Sequence, residues 1–440
     1  MDVIFDYVDE TVFASILLFG LFFWMLAQGI AISVAIAVSS IITGLFFLPA
    51  KVAFFVAAQK MFSGLDSFTL LAIPFFILAG NIMNKGGIAI RLVNLAKLLG
   101  GRLPGALAHT NVIANMLFGS ISGSAIAAAA AVGGTMAPLQ KKEGYDPTFS
   151  AAVNIASAPS GILIPPSGPL ILFSLVSGGT SISALFIGGY VPGVMMGLAV
   201  MIVAGIIAKR RNFPIADRPG AGEAIRIVWQ ALPSLFMVVV VIGGIVIGAF
   251  TATEGAAVAV LYSFVLSLIY RLATWREYVE VLKSSMVTSA VILFLIAASG
   301  IMSYVMTITG IPDAIADALL TFKNPIVILL IMNICLLIIG FFMDLTPAVL
   351  IFTPIFLPIA TQVGMDPVQF GLMMIFNLGI GSMTPPVGSV LFVGCSIAGV
   401  TIEKVAKPLL PFFITLFIAL MMVTYIPALT LGLPRLLGLM

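Results

Sequence analysis

GYDPTFSAAVNIASAPSGILIPPSG, residues 144–168, returns as GMDPVQFGLMMIFNLGIGSMTPPVG, residues 364–388. Gly144, Asp146, Pro147, Ile155, Gly161, Pro165, Pro166 and Gly168 answer to Gly364, Asp366, Pro367, Ile375, Gly381, Pro385, Pro386 and Gly388 at one constant offset of 220 residues. Pro138 and Pro358 keep that offset too. A Pro-Pro-x-Gly inside an apolar run interrupts a helix, because each proline removes a backbone donor and its ring clashes with the preceding turn. Interrupted apolar segments at corresponding places in two halves mark a binding site in a membrane protein built from repeats.

Composition supplies the membrane. Of the 440 residues 61% are hydrophobic and 8% charged, too few polar groups to cover a water-soluble surface. The chain therefore reads as polytopic, and nucleic acid is excluded as a partner. Cys335 and Cys395 sit in apolar runs and read as small buried hydrophobes. A single histidine, His109, leaves no histidine-rich metal site and no choice of triad base. The first residues carry Asp2, Asp6, Asp9 and Glu10 with no basic residue, the opposite of a signal peptide.

The spacing predicts spans at 12–28, 30–48, 68–83, 103–117, 182–208, 235–250, 256–270, 287–307, 324–343 and 409–425, with interfacial stretches at 49–65 and 275–283. Between 118 and 143 the apolar centre is too short to cross and is bracketed by small polar residues, so a re-entrant hairpin is expected, followed by a broken helix at 149–175. A second hairpin at 344–363 and a second broken helix at 368–395 mirror them. The polar loop 209–226 holds Lys209, Arg210, Arg211, Arg218 and Arg226, which places it in the cytoplasm and the N-terminus in the periplasm. The amphipathic arm after the third span carries Lys85, Arg91, Lys97 and Arg102, whereas its copy carries Asp313 and Asp317 with only Lys323. Oppositely charged arms lie on opposite faces, which makes the repeats inverted. The fold class is thus an all-α polytopic membrane protein with inverted-topology repeats, two re-entrant hairpins and two broken helices, of the elevator type. The division expected is a scaffold at 1–67, a transport domain at 68–179, scaffold again at 180–286, transport domain at 287–400, and a scaffold helix at 401–440.

Broken helices leave backbone carbonyls that suit a small hard cation and N–H groups that suit an anion. Ser120, Ser122, Ser124, Ser157, Ser160 and Ser167, with Asp344, Thr346, Ser382, Thr384 and Ser389, gather oxygens beside the breaks. The plain alternative for any one hydroxyl is that it satisfies a backbone group or joins two helices. Asp344 follows a clean apolar span, so cation coordination or proton handling is its functional reading and an interfacial helix cap its alternative. Glu254 reads as a cap or loop residue, and Asp146 and Asp366 as turn residues before proline.

GSISGSA, KKEGYDPTFSAAV with the ILIPPS break, GYVPG, TATEGAAVAV, LTPAVLIFTPIFLP and NLGIGSMTPPVGSVLFVGCSIAG closely resemble, over nearly the whole chain, the large membrane subunit of tripartite ATP-independent periplasmic (TRAP) transporters. The resemblance implies a secondary transporter of the bacterial inner membrane that imports a small organic anion (a sugar acid, sialic acid or dicarboxylate) with sodium, and no enzyme activity. It implies Na+ as the coupling ion with no other cofactor and no transition metal, a periplasmic binding protein (P type), and a small four-helix membrane subunit (Q type). The short N-terminus leads us to expect that subunit as a separate chain. By the same resemblance, sodium sites fall on Ser122, Gly123, Ser124, Ser157, Ser160, Gly161, Pro165, Asp344, Thr346, Gly381, Thr384, Pro385 and Gly388, and the substrate meets Ser167, Ser382 and Asn377. Ala127 to Ala131 stand where many relatives carry an acidic or hydroxyl residue. Ser33, in the expected scaffold, is placed outside the site. The rival classes are an intramembrane hydrolase, for which clustered ligands or a nucleophile with a base are lacking, and a stand-alone ion-coupled carrier needing no binding protein.

Overall fold

The computed structural model describes residues 9–101, 103–211, 213, 220–271, 274–385 and 388–440, with the side chain of residue 89 set aside. Asp2, Asp6, Arg102, Arg218 and Pro386, named above, lie outside the described residues. Regular structure among the described residues is entirely helical. The first half comprises α1 Glu10–Ala27, α2 Ile32–Phe47, α3 Ala50–Leu65, α4 Ala72–Lys85, α5 Ile88–Gly100, α6 Ala106–Ser122, α7 Ala125–Lys142, α8 Pro147–Ser157, the single turn α9 Ser160–Leu163, α10 Gly168–Val176 and α11 Ile182–Arg210. The second comprises α12 Ala221–Val246, α13 Ala252–Tyr270, α14 Trp275–Ile308, α15 Ile311–Leu320, α16 Pro325–Phe342, α17 Leu345–Gln362, α18 Pro367–Gly381, α19 Ser389–Ala398, α20 Ile402–Tyr425 and α21 Ala428–Leu436. Nine helices among the described residues are long and apolar enough to cross a bilayer, and α8 to α10, bent by 51° at the break, makes a tenth.

The offset of 220 residues seen around the breaks runs through the whole chain. α2 and α13, α7 and α17, α8 and α18, and α11 and α20 all start in that register. Local chemistry recurs with it. Asp146 accepts the N–H of Thr148 at 2.9 Å and Asp366 that of Val368 at 2.8 Å, and each is followed by a proline in the first helical turn. A side-chain acceptor at the N-cap and a proline whose missing donor costs nothing there start both helices at the same place.

One element breaks the symmetry. α3 and α4 are separated by a single 3-10 turn, Phe68–Leu71, whereas the matching stretch of the second half is continuous in the 34-residue α14. Asp66 ends α3 at a non-helical ψ of 63°, and the equivalent run Met286-Val287-Thr288-Ser289 holds no helix breaker. Residues 275–283, expected as a separate interfacial piece, are therefore the first turns of a crossing helix.

α6 and α7 form a hairpin whose two ends lie together at the end of α11. A Cβ on Gly105 would come within 2.4 Å of the Ala208 Cβ. At the other end Gln140 Nε2 donates to the Leu107 carbonyl at 3.2 Å, Arg211 pairs with Asp146 at 3.0 Å, and Tyr145 stacks on Phe213 with centroids 4.3 Å apart. The segment 103–117, expected as a span, is thus one leg of a hairpin longer than the expected 118–143. α16 and α17 repeat the arrangement at the end of α20. There Tyr425 donates to the Ile326 carbonyl at 2.8 Å and Gln369 Nε2 to that of Thr424 at 2.9 Å. Residues 324–343, expected as a span and long and apolar enough to be one, form the first leg of this second hairpin beside the expected 344–363.

α21, directly after α20, rests through Thr430 and Pro434 on Gly188 near the start of α11. Gly188 to Ala208 is about 30 Å of helix at ~1.5 Å per residue, the thickness of a bilayer core. The two hairpins therefore approach from opposite ends of α11, so the repeats are inverted in space.

The helices sort into two packed groups. α11 and α20 lie on the broken helices and on each other, together with α6, α7, α16, α17 and α21, while α1 to α4 pack with α12, α13 and α14. α5 bridges the groups, touching α6 and α12, with the Arg91 guanidinium 3.4 Å from the centre of the Tyr270 ring.

Candidate site between the hairpin turns

Each hairpin turns on residues that stop one helix and start the next. Gly123 ends α6 with φ +63°, a conformation that glycine adopts freely. Ser124 then caps α7, its Oγ accepting the N–H of Ala127 at 3.3 Å. Asp344 occupies the corresponding cap position of α17, yet its side chain makes no capping bond. Its Oδ1 instead accepts from Ser389 Oγ at 3.1 Å, which ties the turn of the second hairpin to the start of α19.

The two turns meet at a cavity of about 680 Å³. One wall is made by Ser122, Gly123 and Ser124, by Asp344, Thr346 and Pro347, and by Pro166, Gly168 and Pro169 of the first break. The facing wall comes from α4, with Gly80, Asn81 and Asn84, and from α14, with Ser284 and Thr288, closed at one end by Ala31, Ile32 and Ser33. Asp344 is the only ionisable side chain among the described lining residues. Carboxylate, hydroxyl and main-chain oxygens of this kind suit an alkali cation beside an anion. The turn of the first hairpin rests on α4, where a Cβ on Gly80 would stand 3.1 Å from the Ser122 Cα.

Of the residues expected in the site, Ser122, Gly123, Ser124, Asp344 and Thr346 line this cavity. The others sit behind it, and their hydroxyls hold the breaks. Ser157 donates to the Val153 carbonyl and Ser160 to that of Ser157, at 2.7 and 2.6 Å. Ser167 donates to the Ile162 carbonyl, closing the first break on itself. In the second break Ser382 donates to the Gly379 carbonyl at 2.7 Å and Thr384 to that of Ile380 at 2.8 Å, while the Gly388 N–H reaches the Thr384 carbonyl at 3.2 Å. Pro165 is buried in the first break, and Pro385 lies at the second.

Gly161 and Gly381 are crossing points. A Cβ on Gly161 would fall 2.3 Å from the Gly119 Cα, and one on Gly381 2.6 Å from the Gly340 Cα. Each broken helix thus passes the first leg of its own hairpin at backbone contact, as small residues allow. Buried asparagines fasten the same crossings. Asn115 Nδ2 lies 2.7 Å from Ser157 Oγ, and Asn377 Nδ2 lies 2.9 Å from both oxygens of Asn333. Asn377, expected to meet substrate, is fully buried in this clamp.

Sequence reasoning missed Asn81, Asn84, Ser284 and Thr288. Their signal was present as two polar pairs at helical spacing in apolar runs, three and four residues apart. Ser33, placed outside the site, lines its edge.

Residues 19–429 match the family model described as "Tripartite ATP-independent periplasmic transporter, DctM component". The chain is similar to the uncharacterized protein YgiK of Salmonella typhimurium, 54% identical over 97% of this chain and 98% of the relative. It is 38% identical to the sialic acid TRAP transporter large permease protein SiaM of Vibrio cholerae, over 86% of this chain and 89% of that one. Among solved structures, the Alcanivorax borkumensis YdaH transporter shares the fold with a TM-score of 0.58 at 12% identity, over 85% of this chain and 87% of that chain. A doubled broken helix, two hairpins meeting at one cavity, and a family match across nearly the whole sequence agree: the chain belongs to the DctM component of the TRAP transporters, a transport protein and not an enzyme.

Proposed function

We propose that this permease carries out sodium-coupled uptake of a small organic anion across the bacterial inner membrane by an elevator movement. The anion is of the sugar-acid, sialic-acid or dicarboxylate class, delivered by a periplasmic binding protein. The observation that carries the reading is the cavity itself: hairpins approaching from opposite ends of α11 bring their turns to one place, against a wall formed by the other helix group. A site on the border of two packed groups can change sides if one group slides past the other.

The moving group in this reading is α6 to α11 with α16 to α21. It includes α11 and α20, which pack on the broken helices, and leaves α4 in the fixed group. Sodium binds at Ser122 to Ser124 and at Asp344 and Thr346. The hydroxyls and carbonyls of Ser157, Ser160, Gly161, Pro165, Gly381, Thr384, Pro385 and Gly388 support those turns from behind or complete the coordination. Both hairpins are re-entrant. With loop 209–226 in the cytoplasm, the first hairpin enters from the cytoplasmic face and the second from the periplasmic face, and the N-terminus is periplasmic. Asn84 and Ser33 then lie at the cytoplasmic end of the cavity, as in an inward-facing state. A small membrane subunit on a separate chain completes the complex.

Reconstitution with that subunit and the cognate binding protein tests the reading. Uptake is expected only with an inward sodium gradient and only with the binding protein present. Uptake without the gradient removes the coupling; uptake without the binding protein makes the chain a stand-alone carrier.

A further inference from the structure

The cavity holds more than the sodium-coupled reading uses. Ser33, Asn84, Ser284 and Thr288 line it, and their side chains make no hydrogen bond to another described residue. Asn81, beside them, is already engaged with Ser285 Oγ at 2.8 Å. Apart from these and the residues of the two hairpin turns, the wall is apolar, with Phe118 and Leu172 among its side chains. Four uncommitted neutral polar groups above an apolar surface, with one carboxylate and no basic side chain among the described lining residues, define a narrow chemistry.

An anion entering this space finds no lysine or arginine to pair with. Each carboxylate it brings must be compensated by a bound cation, and Asp344 already makes a claim on the first. A second carboxylate lying along the apolar wall would be desolvated without a partner, which is far more costly than burying a hydroxyl that is hydrogen-bonded. Hydroxyl groups, by contrast, match amide and hydroxyl side chains that can both donate and accept.

We propose that the cavity selects a hydroxylated monocarboxylate, of the sugar-acid type, against dicarboxylates, and that Asn84, Ser284 and Thr288 read its hydroxyl groups. The inference rests on the transport reading above and narrows its substrate class. A site built to hydrogen-bond a hydroxyl rejects analogues that lack one, because its own polar groups are then left unpaired.

The test is ligand-induced stabilisation of the purified full-length chain in sodium buffer, read as the midpoint of thermal unfolding. Aldonic, uronic and ulosonic acids form one panel and short dicarboxylates such as succinate and malate the other. Members of the first panel are expected to raise the midpoint at concentrations where the second does not. Asn84→Leu and Thr288→Val should each weaken the best sugar acid about tenfold, the equivalent of one hydrogen bond, while Thr288→Ser retains most of the affinity. An unliganded midpoint in the wild-type range shows that the variants fold. Tighter binding of dicarboxylates, or unchanged sugar-acid affinity in folded variants, overturns the inference and leaves the transport reading standing. No response to any acid in either panel also overturns the inference, while the transport reading is decided by the reconstitution above.

Discussion

Asp344 and Asp146 show how one residue type takes two roles in one chain. Asp344 stands at a helix start without capping it and faces a cavity with no other ionisable lining group among the described residues. Replacing it by alanine is expected to abolish sodium dependence of uptake while the folded protein persists; sodium activation unchanged from wild type would remove it from the site. Ser124→Ala should weaken sodium less, because one hydroxyl is lost and the carboxylate stays. Asp146 lies at the end of the first hairpin, where burial pushes its pKa up but the Thr148 N–H and hydroxyl and the Arg211 guanidinium outweigh that and hold it below the ordinary value. A carboxyl whose folded pKa is depressed stabilises the fold above its unfolded pKa and loses that contribution as pH falls through the folded one. The pair with Arg211 is 39–45% exposed, so its own worth is under about 1 kcal/mol. Asp146→Asn keeps the cap and should cost little, whereas Asp146→Ala also loses the cap, about 1 kcal/mol more. Thermal unfolding in detergent separates the two variants. At this scale the sequence was informative where a residue breaks an apolar run, as Asp344 does. It was less telling on Asn84 and Thr288, whose spacing with Asn81 and Ser284 looks like an ordinary polar stripe on a helix until the opposite wall is known.

At the scale of elements the doubled breaks were legible because proline and glycine act locally, whatever surrounds them. What the glycines do there depends on a second helix. Gly161→Ala and Gly381→Ala place a methyl group on a neighbouring backbone and should cost about 1–3 kcal/mol each or abolish recovery of folded protein. Gly80 differs, because its neighbour is the turn of the first hairpin at a looser 3.1 Å. Gly80→Leu is expected to leave the fold intact but displace that turn, lowering sodium and substrate affinity together; wild-type affinity for both would show that the turn does not rest there. The pairing of the hairpin legs is a tertiary fact as well. The first legs, 106–122 and 325–342, are read from sequence as spans, and only the meeting of Leu107 with Gln140, and of both Ile326 and Gln369 with the end of α20 at Tyr425 and Thr424, shows that each pair of legs begins and ends at one place.

For the whole molecule the inversion makes a direct claim. Lys142 and Gln362 close the two hairpins, are both exposed, and are 220 residues apart. In a background without Cys335 and Cys395, cysteines at these two positions should be modified by an impermeant thiol reagent from opposite sides of the membrane, Lys142→Cys from the cytoplasm and Gln362→Cys from the periplasm. Labelling of both from one side would refute the inverted arrangement. The membrane character, the register of the repeat, the breaks and the hairpin turns at Ser122 to Ser124 and Asp344 to Thr346 were determined by the sequence alone, because hydropathy, proline, glycine and capping residues act on their own few neighbours. The cavity wall of Asn81, Asn84, Ser284 and Thr288, the place of Ser33 at its edge, the clamps at Asn115 and Asn377, and the packing of α11 and α20 with the broken helices were decided only by the tertiary structure. Each depends on which helices, far apart along the chain, come to lie side by side, and no local pattern records that.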